Sequence, residues 1–213
     1  MSVQFFLLVV HLQVVGGFSP MAAGLALLPV TILLLLLSAR AGALAQRIGP
    51  RILITGGLLV AAAGMLLTIR IGVHVSYAAD VLPAVVVFGL GLSVVVAPLT
   101  ATVLATADAR HAGVASGVNN AVARAAGLFA VAAIPPLVGL TGDAYRQPVR
   151  FADGFQAAMV ISAILLVAGA VLAYFTVDRD VLAARPETAR PQAKSHCAVA
   201  GPALEPTRSD AET

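Results

Sequence analysis

Gly42 to Arg51, reading G-A-L-A-Q-R-I-G-P-R, is a short basic elbow between two long apolar runs, and it constrains where everything else can go. On one side lies 22–45, mostly Leu, Ala and Val apart from Arg40; on the other lies 52–69, which carries no charge. Each run, wound as a helix, can cross roughly 30 Å of hydrocarbon, and a connection of a few residues makes the pair a helical hairpin through a bilayer. Arg47 and Arg51 sit in the turn, and the bias of Lys and Arg toward cytoplasmic loops places that turn in the cytoplasm.

Composition excludes a water-soluble domain. Soluble chains carry about a quarter charged residues, whereas here 11% are charged and 60% hydrophobic. The net charge of +3 comes from arginines at helix ends and in the tail. That is topogenic charge facing anionic lipid, so no nucleic-acid partner is expected. Cys197 is the single cysteine, which leaves neither a disulfide framework nor a CxxC metal or redox pair. No metal and no cofactor is expected.

In chain order, Ser2 to Val15 is apolar but only 14 residues long, about 21 Å as a helix and too short to span. It is expected to be the outer part of a transmembrane helix whose beginning is missing. His11 and Gln13 are its polar positions, and His11 is expected to be a structural histidine in preference to a proton relay. Gly16-Gly17-Phe18-Ser19-Pro20 is a turn with Ser19 as N-cap and Pro20 at the first helical position. The second span runs from about Met21 to Ala45, with Gly24, Thr31, Ser38 and Gly42 on one face for packing, and Pro29 should bend it.

The third span starts at Arg51 and ends near Arg70 and His74, and the fourth runs from about Ala79 to Leu104, entered at Asp80. Glycines and prolines inside the fourth predict close helix contact or a flexible bend. Ala105 to Ala112 is a second polar turn on the elbow's side, and a fifth span follows to about Val138. Gly113, Ser116, Gly117, Asn120, Arg124 and Gly127 fall at spacings of three and four on one face of that span. A mid-membrane arginine costs about 2.5–3.5 kcal/mol, so Arg124 should face protein or water, either as a functional cation or bonded to backbone carbonyls between helices. Leu140 to Gly154 reads as a polar loop and Phe155 to Val177 as the last span. Residues 1–177 thus form a six-helix transmembrane domain, and 178–213, rich in Pro, Ala and charge, reads as a disordered cytoplasmic tail. Arg47, Arg51, Arg110 and the tail's basic residues outnumber Arg70, Arg146 and Arg150, so both termini are expected in the cytoplasm of a multi-pass plasma-membrane protein.

These residues resemble a known family. The elbow resembles the G-x-L-A-D-R-x-G-x-R loop that the major facilitator superfamily carries between the second and third helices of a six-helix half. The run from Leu12 to Pro29, L-Q-V-V-G-G-F-S-P-M-A-A-G-L-A-L-L-P, and the run from Ala112 to Arg124, A-G-V-A-S-G-V-N-N-A-V-A-R, look like the C-terminal half of its fourteen-helix drug:proton antiporter branch. The similarity extends over about Phe5 to Val177. It implies an all-α polytopic fold, one half built as a 3+3 inverted repeat with its first helix truncated. Gln46 stands where the loop motif has an aspartate, which weakens a charge latch.

By this resemblance the chain would export small amphipathic or hydrophobic molecules in exchange for protons, together with an N-terminal half or a second copy. Arg124, Asn120, Asn119 and Gln13 would supply polar groups on the cavity or between helices. Gly42, Gln46, Arg47, Gly49 and Arg51, with Asp108, would form the cytoplasmic gate motif. The alternative is a non-transporting half that dimerises with or modulates a full-length permease. An intramembrane enzyme is not expected: there is no H-E-x-x-H site, no acid pair within the spans, and Ser116 and His111 do not share a face. No catalytic residue is assigned.

Overall fold

The computed structural model describes residues 2–72, 75–107 and 111–182. Asp108, Arg110, Cys197 and the tail from 183 onward lie outside the described residues. Among those described there is no strand, and helices occupy most of them: α1 (Ser2–Val14), α2 (Pro20–Leu25), α3 (Leu28–Ile48), α4 (Pro50–Leu67), α5 (Leu82–Ala105), α6 (Ala112–Leu137) and α7 (Pro148–Thr176). Five continuous or nearly continuous helical stretches, beginning at Pro20, Pro50, Tyr77, Ala112 and Pro148, are long and apolar enough to cross a membrane, while α1 is shorter. The expected all-α, polytopic membrane class is what the chain adopts.

Local chemistry explains the boundaries. Ser19 is extended and its Oγ accepts from the Ala22 N–H at 3.2 Å, with Pro20 next in the first turn, as the turn sequence predicted. Pro29 has no N–H and its ring excludes the carbonyl four residues back, so regular α-helical bonding is interrupted at 26–27, where both residues keep right-handed helical dihedrals. There Leu27 N donates to Gly24 O and Val30 N to Leu27 O in tighter turns. At the start of the fourth span the Ser76 N–H donates to the Asp80 carboxylate at 2.9 Å, ahead of a π-helical turn over Tyr77–Val81. The last helix begins at Pro148, seven residues before the expected start at Phe155, because Arg150 and Asp153 lie exposed on its first turns and not in a loop.

Packing is organised around α5, which lies against α4, α3 and α6; α7 lies against α4 and α1, and α1 also meets α2 and α6. In lipid there is no hydrophobic drive between helices, so close backbone approach through small residues supplies the contact. That is the use made of glycine between α4 and α5. A Cβ at Gly64 would run into the backbone of Phe88, and one at Gly91 into the backbone of Ala61. The main core, including Leu7, His11, Phe88, Phe151 and Phe155, fills the end of the bundle away from the elbow. At the elbow end a second, smaller cluster of Ala41, Ala45 and Leu53 is joined by Val94 and Leu182.

Candidate functional site: the open face of the fifth span and the elbow

α6 is the least buried of the long helices. Within its most apolar stretch 11% of residues are buried, against 56% for the span containing α5. The reason is geometric. Gly127 sits against Ser2, the first described residue of α1, and from there onward α6 packs inward through Ala130, Val131 and Ile134. Residues 112–126 extend past that point, beyond the described part of α1. Gly113, Ser116, Gly117, Asn120 and Arg124 are all exposed there, and Asn119 is half-buried. Arg124 therefore projects from the bundle on a helix otherwise apolar enough to be a span. Among the described residues no other helix covers it.

Gln13 does not join that group. Its side-chain amide donates to Val9 O at 3.3 Å, within its own helix. With Ser2 level with Gly127 on neighbouring helices, Gln13 lies about 14 residues of helix further along than Arg124, roughly 20 Å away at 1.5 Å per residue.

His11 is fully buried, its ring 4.3 Å from that of Phe155 and 6.0 Å from that of Phe151. It fills an aromatic cluster at the end opposite the elbow, in keeping with a structural role. His11→Phe is expected to preserve the thermal stability of the detergent-solubilised chain, whereas His11→Ala, which leaves a cavity, should lower it by about 2 kcal/mol or more. Equal loss from both would show that a polar bond and not ring packing holds this position.

At the elbow the motif residues divide. Gln46 and Arg47 are exposed, and Gly42 packs against Ala97. Gly49 joins α3 to α4 with φ +87° and ψ +147°, a conformation essentially restricted to glycine. Arg51 is half-buried, its guanidinium carbon 3.9 Å from the centroid of the Tyr174 ring, a cation–π contact of about 0.5–1 kcal/mol. No sequence signal pointed to Tyr174, because its partner lies near the other end of the chain. Asp108 lies outside the described residues. No group of three or more His, Cys, Asp or Glu side chains comes together among the described residues.

A family model described as Major Facilitator Superfamily matches residues 1–132, more than half of the chain. The chain belongs to the Major Facilitator Superfamily. Among curated relatives it is 32% identical over 192 residues to the puromycin resistance protein pur8 of Streptomyces alboniger, covering 84% of this chain and 38% of that protein. It is 38% identical over 144 residues to a probable actinorhodin transporter of Streptomyces coelicolor, covering 64% of this chain and 24% of the relative. The cephamycin export protein CmcT of Amycolatopsis lactamdurans is 28% identical over 168 residues, 78% of this chain and 34% of its own length. This superfamily chain thus spans about two fifths or less of the relatives it matches.

Proposed function

We propose that this chain forms the C-terminal half of a multidrug-type efflux permease, one wall of a substrate cavity and one side of a cytoplasmic gate. The observation that carries the reading is the open polar face of α6, with Arg124 and Asn120 exposed on a membrane-length helix. Left against hydrocarbon, Arg124 would cost about 2.5–3.5 kcal/mol; covered by a complementary half or lining water, it becomes an asset. Alternating access works by one helical bundle rocking against another around a central site, so such a face is where the second bundle belongs.

The cargo is of the kind for which the relatives are named, small molecules such as puromycin, actinorhodin or cephamycin. Protons drive export, and the other half supplies the coupling acids. In the described spans Asp80 and Asp153 are the acidic residues, both in the turns near the end opposite the elbow. The elbow and the tail face the cytoplasm of the plasma membrane, as the arginine bias supports. Arg47, exposed on the elbow, faces the other half across the gate.

Co-expression of the chain with a complementing N-terminal half is expected to give energy-dependent dye efflux that neither half gives alone. Arg47→Ala should then slow efflux several-fold while leaving the membrane level of the chain unchanged, since Arg47 makes no buried contact. Co-purification of the two halves without flux would instead assign the chain a docking role.

A further inference from the structure

We infer that the segment 177–182 is an internal strap that binds the elbow to the end of the last span, and that Arg51 belongs to this strap and not to the gate. Two contacts of the segment, and one of the helix end that leads into it, meet the elbow. The helix of α7 ends with the Val177 N–H donating to Ala173 O, and Val177 continues in an extended conformation. The carbonyl oxygen of Arg179 then lies over Gly49, only 2.7 Å from where a Cβ there would be, so the strap passes the elbow at its one glycine in the left-handed region. Leu182 packs into the small cluster of Ala41, Ala45 and Leu53, and Arg51 is laid on the ring of Tyr174, three residues before the strap begins.

The surroundings make these contacts consequential. The main core lies toward the other end of the bundle, and at the elbow end Leu182 packs against a small cluster of three buried residues. Ala45, fully buried, and Pro50, also buried, bracket the turn, while Gln46 and Arg47 between them are exposed. The Nε of Arg51 is buried without a hydrogen bond, so the ring of Tyr174 is what receives its charge among the described residues. A strap seated this way fixes the direction in which Arg47 projects. Lifting it frees the elbow without disturbing the spans, which makes the C-terminal segment a control point for whatever the elbow contacts.

The strap is internal to one chain, so it is tested in membranes without any second half and independently of transport. In a Cys197→Ser background, Ala45→Cys combined with Leu182→Cys should be joined by a short bifunctional thiol reagent, and exposed Ala43→Cys combined with Leu182→Cys should not. Labelling of Ala45→Cys alone by a small maleimide should accelerate about threefold or more when the cation–π contact is removed by Arg51→Ala or Tyr174→Leu. The double substitution should add nothing further, and Tyr174→Phe, which keeps the ring, should leave the rate low. Labelling of Ala43→Cys should not change. Equal cross-linking of the two pairs, or independent and additive effects of Arg51→Ala and Tyr174→Leu, would overturn the strap.

Discussion

Gly91→Val is expected to prevent the chain from accumulating folded in the membrane, while Gly56→Ala, on the facing helix, should leave it intact. The two glycines differ only in what surrounds them. A Cβ at Gly91 would lie 2.6 Å from the carbonyl oxygen of Gly57 and against the backbone of Ala61, atoms that no rotamer change can move. Gly56 has nothing within 4 Å of that position. Overpacking a close contact costs about 1–3 kcal/mol and more where backbone must separate, and α4 and α5 meet backbone to backbone again at Gly64 and Phe88. Because helix association in lipid depends on this fit, parting the two helices disrupts the pair around which the other spans are arranged. Size-exclusion profiles and thermal midpoints of the two variants in detergent check this. A monodisperse, stable Gly91→Val chain would mean that α4 and α5 do not cross where described.

The second large effect concerns Arg124 and has opposite signs in two settings. In the chain alone Arg124 is exposed on α6. Replacing it with leucine removes an exposed cation whose placement in a bilayer costs about 2.5–3.5 kcal/mol, so the isolated chain should be at least as stable. In the two-half transporter proposed above the same substitution would remove a charge from the cavity or from the contact between halves. Losing a charge-assisted bond of about 1.5–3 kcal/mol lowers efflux by tenfold or more. Dye efflux from cells carrying both halves, read beside the melting midpoint of the chain alone, separates the two. An arginine holding this chain's own helices together would instead lose stability in both settings.

What could be read from the sequence follows from the range of each interaction. The turn at Gly16 to Pro20 was legible because its signals are local, with a capping serine and a proline at the first helical position. The elbow was legible because two uncharged runs meet at arginines. Pro29 announced a disturbance, but whether the helix would bend or break depended on neighbours that the sequence does not place. The start of α7 at Pro148 was hidden by Arg150 and Asp153, which look like loop residues when only hydropathy is weighed, although a proline opening a helix was there to be seen. Gly89 and Gly91 signalled close approach, without indicating which helix they approach. The site was less legible still. Spacing put Asn120 and Arg124 on one face, and the structure leaves that face open. Gln13 shared their polarity but not their depth, a separation visible only once Gly127 is seen beside Ser2. Arg51 was grouped with Arg47 because they are neighbours in a motif; the structure leaves Arg47 exposed and lays Arg51 on the ring of Tyr174, a contact no local signal gave.

The central claim, that α6 is covered by another part of a transporter, is tested most directly by a photoreactive side chain at position 120 in membranes containing both halves. Asn120 and Leu165 are both exposed in this chain, one on the polar face of α6 and the other on an apolar face of α7. Irradiation is expected to join position 120 to the complementing half and position 165 to lipid alone. Lipid adducts alone at position 120, in membranes where both halves are present, would contradict the account.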